Sequence, residues 1–200
     1  MEGKRYSFSD YFNMGYPSAE IIAELGYQLT VEEINFSQST KTNTQIVEKL
    51  KTFYYQIIPK ITLNSENAKR EFMIAPLLQA IMLEIDAKLN IEYPITVNER
   101  LNGVIDYLIR ASEELIVVEA KRGDLDKGFN QLAAEMIALD QHEDNLQSLY
   151  LYGAITIGEV WRFSMLNRHE KKVIKDINLF RFPQDTQDIL SIFFGILLKE

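Results

Sequence analysis

LNGVIDYLIRASEELIVVEAKRGDLDKGFNQLAAEM, residues 101 to 136, is the stretch around which the chain is organised. It predicts two apolar strands joined by a polar turn, followed by a loop and a helix. Polar side chains interrupt the apolar pattern where a plain hydrophobic core would not hold them. Asp106 lies inside the first strand, Glu119 and Lys121 end the second, and Gln131 opens the helix. These four residues are the candidates for a functional site.

The spacing of the candidates predicts a cluster. Residues two apart in a strand point to the same face, about 6 to 7 Å apart, so Glu119 and Lys121 project together. The turn RASEE returns the chain antiparallel, which can bring Asp106 beside Glu119. Two carboxylates on neighbouring strands suit Mg²⁺, an ion that polarises a phosphoryl oxygen and lowers the pKa of a bound water. Lys121 would hold that water and stabilise charge developing on the phosphate.

An acid and a lysine two residues apart carry little information by themselves. About three such triplets are expected by chance in this composition, and four occur, at residues 2–4, 86–88, 119–121 and 170–172. The first lies at the terminus, the second on a predicted helix and the fourth in a polar turn. The third alone follows an apolar strand and has an acid in the strand before it.

Each candidate also has an interpretation without function. Asp106 would be an exposed residue of an edge strand, although Asp is poor in strands and costly when buried unpaired. Glu119 and Lys121 would form a solvated cross-strand ion pair. Gln131 would be a polar residue on a helix surface, and Glu66 would complement the dipole of its own helix.

The flanking sequence predicts an α/β domain. Upstream, a helix is expected from Ser65 to Leu89, with a kink at Pro76, followed by a strand at residues 91–98. Downstream, further strands and a C-terminal helix are expected, with the apolar face of the helix covering the sheet. A helix, three strands, a helix, more strands and a final helix predict a layered domain with a mixed sheet.

The first part of the chain is expected to be an extension of that domain. Residues 1–60 are predicted to be an N-terminal helical extension packed on the core, and residues 61–200 to be the domain itself. Within the extension, apolar residues at helical spacing predict a helix over residues 45–58. Residues 28–42 are expected to be a loop with some extended character.

The composition is that of an ordinary globular chain, with 46% hydrophobic and 25% charged residues. No apolar run approaches the roughly 18 to 20 residues that a membrane span needs, so no membrane partner is expected. The first residues lack an apolar signal segment. Since there is no cysteine, disulfides and thiolate metal sites are excluded, and a cytoplasmic location is expected.

The charge distribution leaves two interpretations of the surface open. The net charge of -8 is unfavourable for phosphate binding, which needs Lys and Arg. Residues 162–181, however, hold six Lys or Arg against two acids. This segment is either a local basic face for DNA or the solvated surface of a hairpin.

The combination of candidates resembles the PD-(D/E)XK nuclease superfamily. The core of that family is a helix, a three-stranded antiparallel meander, a second helix and a further strand. Its second strand carries an acid and its third the E-x-K motif, which Asp106, Glu119 and Lys121 match. Gln131, ten residues after Lys121, matches a glutamine of several branches. The resemblance covers residues 64 to 165.

The upstream helix extends the resemblance. The sequence SENAKR, residues 65–70, runs on to IAPLL and is similar to the acid-bearing first helix of branches akin to the N-terminal domain of type I restriction subunits. This similarity gives Glu66 as the helix acid, with Glu71 as its substitute. One departure is Ile105, where the superfamily commonly has proline before the first acid.

The resemblance implies a restriction-endonuclease-like fold and an endonuclease that hydrolyses DNA phosphodiester bonds with Mg²⁺, or with Mn²⁺ in its place. Asp106 and Glu119 would bind the metal and Lys121 would position the water. Gln131 and Glu66 would support metal, water or phosphate.

Two alternatives to a nuclease follow from the same sequence. The superfamily contains members that have lost catalysis, so the chain could be a silent module that binds nucleic acid or a protein partner. A structural subunit is the other alternative, with a homo-oligomer formed through FFGILL, residues 193–198 of the C-terminal helix.

Overall fold

Strands in one mixed sheet form the centre of the protein, with helices on both faces. The computed structural model describes residues 5–37, 39, 44–111, 114–120, 123–142 and 148–198. The strands are β1 (Gln28–Glu32), β2 (Lys88–Thr96), β3 (Asn102–Ala111), β4 (Glu114–Ala120), β5 (Tyr150–Thr156), β6 (Val160–Asn167), β7 (Lys172–Asp176) and β8 (Phe180–Arg181). The helices are α1 (Phe8–Asn13), α2 (Ser18–Glu24), α3 (Thr44–Ile57), α4 (Glu66–Lys69), α5 (Ala75–Glu84), α6 (Leu125–His142) and α7 (Thr186–Leu198).

The strand order across the sheet is β1-β7-β6-β5-β4-β3-β2, and β8 adds to β6. Strands β2, β3 and β4 pair antiparallel in sequence, and so do β5, β6 and β7. Two pairings are parallel, β4 with β5 and β1 with β7. Helix α6 connects β4 to β5, as a parallel pair requires. The prediction of an α/β fold with a mixed sheet flanked by helices is confirmed.

Two hydrophobic cores lie on the two faces of the sheet. One core joins α3, α5 and α7 to side chains such as Trp161 and Phe163 of β6. The other joins α1, α2 and α6 to side chains such as Leu151 and Ile155 of β5. Because successive residues of a strand point to opposite faces, apolar residues at both parities give the sheet its two buried sides.

Gly153 of β5 lets helix α6 approach the sheet closely. A Cβ atom at this position would lie 2.5 Å from Sδ of Met136 and 3.1 Å from a methyl carbon of Leu132. Both of those side chains belong to α6 and are fully buried. The glycine therefore provides the space in which the middle of α6 lies against the sheet.

The structure corrects the prediction of one long helix from Ser65 to Leu89. The structure divides it into α4, a π-helical segment (Arg70–Ile74) and α5, which ends at Glu84. Pro76 lies in the first turn of α5, directly after the π-helical segment, so the regular helix is interrupted next to the proline. Leu89 belongs to β2, because from Lys88 onwards the backbone pairs with β3 instead of continuing the helix.

The segment of residues 28–42 also differs from the expected loop. Its first five residues form β1, whose residue Gln28 pairs with Lys172 and whose residue Glu32 pairs with Asp176. Residues 1–60 therefore contribute an edge strand to the main sheet as well as helices. The pairing was hidden because the partner strand lies far along the chain.

The apolar face of α7 is covered by the chain itself. Phe193, Phe194, Ile196 and Leu197 are at most 5% exposed and belong to the core beneath the sheet. The residues proposed from the sequence for a homo-oligomer are therefore committed to the monomer's own core. Within the described parts of the chain, no helix combines the length and apolar character that crossing a bilayer demands.

Candidate functional site

The candidate site lies where strands β3 and β4 part. Their pairing runs from Ala111 with Glu114 to Tyr107 with Val118 and ends there. Asp106 and Glu119 are the next residues on the two strands, so they are neighbours at the point where the ladder stops. Beyond this point β3 pairs with β2 alone, while β4 remains paired with β5.

Gln131 of α6 lies directly against Glu119. Its side-chain amide nitrogen donates to Oε1 of Glu119 at 2.7 Å and to Oε1 of Glu135 at 2.9 Å. Glu119 and Glu135 are fully buried, and Gln131 is 5% exposed. One amide group thus holds two carboxyl groups beneath the sheet surface, which makes this a buried polar network rather than a solvated pair.

Glu135 is the residue that the sequence analysis missed. Burial raises the pKa of Glu135 well above its ordinary value, and the negative charge of Glu119 raises it further. Asp106 contributes in the same direction, as does a hydrogen bond with Glu119, whereas the bond from Gln131 acts against them. A neutral Glu135 then supplies the O–H donor that two ionised carboxylates would lack.

The sequence does contain a signal for Glu135. It lies four residues after Gln131, so the two side chains share one face of a helix. Every residue of α6 from Gly128 to Leu139 is buried. An acid in the middle of such a segment is expensive to bury, and such groups cluster at functional sites.

The oxygen atoms of this network suit a hard divalent cation. Asp106 and Glu119 supply carboxylate oxygens, and Oε1 of Gln131 is buried without a hydrogen-bond donor among the described residues. Mg²⁺ needs only one or two carboxylates and retains several waters. The described residues contain no group of three or more His, Cys, Asp or Glu placed to hold a metal ion. The donor set therefore fits a two-carboxylate site and not a closed protein cage.

Arg70 approaches the cluster from the opposite layer. Nη1 of this residue lies 3.5 Å from Oδ1 of Asp106, and Nη2 lies 3.6 Å from Oε1 of Glu92. Its guanidinium also stacks on the ring of Tyr107, with Cζ 5.3 Å from the ring centroid. Nε lies 3.5 Å from the Tyr107 hydroxyl. Asp106 therefore faces the cation of Arg70, and on its strand it is the residue next to the last β3–β4 pair.

The helix acids proposed from the sequence lie outside this network. Glu66 is the first residue of α4, behind the N-cap Ser65, whose Oγ accepts from the backbone N–H of Ala68 at 3.1 Å. Its side chain makes no hydrogen bond or ion pair with any described residue. Glu71 is exposed. Lys121 lies outside the described residues, so its expected place beside Glu119 stays a prediction.

The structure thus joins Gln131 to Glu119 and Glu135 by hydrogen bonds, and it places Asp106, which contacts Arg70, one residue beyond the last β3–β4 pair. In searches for related proteins, the chain matched no family model, no curated protein and no solved structure.

Proposed function

We propose that the chain is a metal-dependent nuclease that hydrolyses phosphodiester bonds of DNA. The observation that supports this most is the neighbouring pair Asp106 and Glu119 at the end of the β3–β4 ladder, with the Gln131 amide donating to Glu119. A plain structural sheet has no use for a buried acid at this point, since burying it is costly.

In this proposal Asp106 and Glu119 bind Mg²⁺ or Mn²⁺. The ion supplies Lewis-acid activation of the phosphoryl group and of a bound water. Gln131 fixes the orientation of Glu119 by its 2.7 Å hydrogen bond. Glu135 in its neutral form donates to Glu119 and so keeps a second negative charge out of the buried cluster. Lys121, two residues after Glu119, would stabilise charge on the phosphate.

Two of the basic residues noted in the sequence share one acidic partner. Arg162 and Lys175 both contact Oδ1 of Asp126, at 2.9 Å and 2.6 Å. Asp126 opens helix α6, and its pKa is lowered chiefly by the hydrogen bond from Lys175. The basic segment 162–181 is thus partly tied to α6, which limits its net attraction for DNA.

The test is a cleavage assay on supercoiled plasmid and on single-stranded DNA, with Mg²⁺, Mn²⁺ or EDTA. We expect cleavage that needs a divalent ion and falls by about 100-fold or more in Asp106→Asn and Glu119→Gln. Lys121→Ala should lose cleavage while still binding Mn²⁺. Cleavage that persists in EDTA or in Asp106→Asn would refute the proposal.

Asp140→Asn is the matched control for these variants. Asp140 is also an aspartate with an arginine partner, since Oδ1 lies 2.6 Å from Nε of Arg168, and its side chain is 10% exposed. It lies nine residues after Gln131 on α6, which is about 13 Å away along a helix axis. We expect Asp140→Asn to be less stable than the wild type and still to cleave DNA, which would show that destabilisation alone does not account for the loss in Asp106→Asn.

The second candidate is a silent module with the same site architecture. The ion pair between Arg70 and Asp106 favours it, because a guanidinium already balances one of the two carboxylates. Calorimetric titration with Mn²⁺ separates the two functions. Mn²⁺ binding that depends on Asp106, without cleavage of any DNA, would favour the module, and equal Mn²⁺ affinity in wild type and Asp106→Ala would remove the metal from both.

A further inference from the structure

Arg70 has contacts that a purely structural arginine does not need. It reaches two acids on neighbouring strands, Asp106 of β3 and Glu92 of β2. The pairs of Ile91 with Tyr107 and Tyr93 with Ile105 put Glu92 opposite Asp106 on the edge of the sheet. Arg70 thus bridges the outermost strand to the carboxylate that begins the candidate site.

Both ion pairs of Arg70 are loose. Their N···O distances of 3.5 and 3.6 Å exceed the roughly 2.7 to 2.9 Å of a charge-assisted hydrogen bond. The side chains of Arg70 and Asp106 are each 16% exposed, whereas that of Glu92 is 68% exposed. The guanidinium is therefore close enough to neutralise Asp106 but not locked to it.

The tightest feature of Arg70 is its stacking on Tyr107. The guanidinium lies over a ring that is itself 3% exposed and held in the core. Such stacking fixes the plane of the cation while leaving its edges free to exchange hydrogen-bond partners. A guanidinium that is stacked on the buried Tyr107 ring and remains partly accessible is suited to binding a planar or tetrahedral oxyanion.

The backbone that carries Arg70 is irregular. Arg70 begins the π-helical segment that ends at Ile74, and such segments occur frequently at functional sites. Glu92 has a φ of 53°, which is uncommon for a residue other than glycine. The Arg70–Glu92 contact therefore joins two residues with irregular backbone conformations.

We infer that Arg70 is the phosphate-binding residue of the site and that it balances Asp106 until a divalent cation takes its place. The inference rests on the proposed nuclease function. When the cation binds Asp106, the guanidinium loses its partner carboxylate while it keeps the Tyr107 stack. Its N–H groups then face the space beside the ion, where an arginine fork matches two oxygens of a phosphodiester.

The arrangement couples metal binding to DNA binding. In the metal-free protein Arg70 is occupied by acids, so it contributes little to phosphate binding. With the cation bound it is available, and DNA binds more tightly. By linkage, DNA must increase the affinity for the cation by the same factor.

The test uses Arg70→Gln, with Arg110→Gln as the matched control. Arg110 lies on β3, the strand of Asp106, and stacks on Tyr93 with Cζ 5.3 Å from the ring centroid. The control therefore removes an arginine that is stacked at the same distance as Arg70 but does not contact Asp106 in the contacts shown. Calorimetry measures Mn²⁺ affinity, and fluorescence anisotropy measures the affinity for a labelled DNA duplex with Ca²⁺ or with EDTA. A gel confirms that the duplex stays intact.

We expect Arg70→Gln to bind Mn²⁺ about tenfold more tightly, because a competing positive charge has been removed from Asp106. The same variant should bind the duplex about tenfold more weakly in Ca²⁺ and lose most of the gain that Ca²⁺ gives to the wild type. Arg110→Gln should behave like the wild type in both titrations.

Three outcomes overturn the inference in distinguishable ways. If the wild type binds Mn²⁺ through Asp106 but Arg70→Gln leaves Mn²⁺ affinity unchanged, Arg70 merely holds the helix on the sheet. If Arg110→Gln weakens DNA binding in Ca²⁺ as much as Arg70→Gln, the effect is general surface charge. If the wild type binds no Mn²⁺, the proposed function fails and the inference with it.

Arg70→Lys keeps the test decisive if the Gln variant does not fold. Lysine retains the charge but lacks the planar fork and stacks poorly. We expect Mn²⁺ affinity near that of the wild type and duplex affinity in Ca²⁺ reduced severalfold. Unchanged duplex affinity would mean that a point charge suffices and that Arg70 does not bind phosphate through its fork.

Discussion

Helix α6 carries three acids, Asp126, Glu135 and Asp140, and the last two lie in opposite electrostatic settings. Asp140 accepts a hydrogen bond from Nε of Arg168 at 2.6 Å and another from the Tyr27 hydroxyl at 2.6 Å. Glu135, five residues earlier, is fully buried, and its neighbours are Gln131 and a second acid, Glu119. No cation among the described residues contacts Glu135. Asp140 thus faces a positive charge, whereas Glu135 is buried beside the acid Glu119.

The difference separates a structural polar contact from a site. Around Asp140 each polar group has a partner of opposite character, and burial together with the bond to Asp140 raises the pKa of Tyr27. Around Glu135 the contacts shown are the Gln131 amide and the like charge of Glu119, and burial favours its protonated form. Burying acids side by side is costly, so such a cluster is a candidate for a functional site. The comparison supports the proposal that the site lies at Glu135 and not at Asp140.

The largest effect on stability should come from breaking the ion pair between Asp140 and Arg168. Asp140→Ala leaves Arg168, whose side chain is 17% exposed, without its carboxylate. We expect the free energy of unfolding to fall by about 3 kcal/mol, which urea denaturation at neutral pH would measure. Replacing both residues with leucine should recover most of the loss. If Asp140→Ala unfolds at the urea concentration of the wild type, the pair is not structural and the comparison fails.

A smaller effect on stability, of opposite sign, is expected when Glu135 is replaced. Glu135→Gln is close in shape to a neutral glutamic acid, so it can donate to Glu119 and accept from Gln131 without carrying a charge. We expect the variant to be more stable than the wild type by about 2 kcal/mol near pH 8, the order of cost of a poorly compensated buried polar group. A lower melting temperature than that of the wild type would show that the carboxyl group is compensated by a partner.

The pH dependence of Glu135→Gln checks the cause. The pKa of Glu135 is raised in the folded chain, first by burial and then by Glu119. Between the unfolded value of about 4.3 and the raised folded value, the folded chain holds more protons than the unfolded chain. Its free energy of unfolding therefore falls as the pH rises through that window. The advantage of the Gln variant should be larger at about pH 8 than at about pH 5, and equal advantages would exclude titration of Glu135.

The smallest effect should come from the contact between α6 and Gly153 of β5. In Gly153→Ala the new methyl group meets Met136 and Leu132, and the sulfur of Met136 can shift more easily than a branched side chain. We expect a loss of about 1 kcal/mol, again measured in urea, with the pH profile of the wild type retained. A changed pH profile would mean that the position of α6 on the sheet controls the Glu135 pair.

The sequence predicted the antiparallel pairing of β3 with β4 better than it predicted the other residues around Asp106 and Glu119. Asp106 and Glu119 could be aligned because the polar turn RASEE fixes an antiparallel return, and a return of this kind sets the register of both strands. Gln131 was expected to open the next helix, but α6 begins at Leu125 and Gln131 is its seventh residue, so the expected start was too late. These are local relations within residues 101–136, so local patterns were sufficient.

What the sequence could not give depends on distant contacts. The contact of Arg70 with Asp106 joins two layers through a π-helical segment, and such a segment has no periodic signature in the sequence. Leu89 fits an apolar stripe of a helix as well as a strand, and only pairing with β3 decides between them. The sequence shows that Glu135 is an acid in an apolar helix, but it does not show that Glu135 lies beside Glu119.

The edge strand β1 has a consequence for how the protein is made. Its Gln28 pairs with Lys172 of β7, so roughly 140 residues must leave the ribosome before the partner exists, on the order of ten seconds of synthesis. During that time a strand with exposed Val31 has unsatisfied backbone groups. Closure of the sheet is therefore a late event in synthesis, and until then the backbone of β1 is open to pairing with a neighbouring chain.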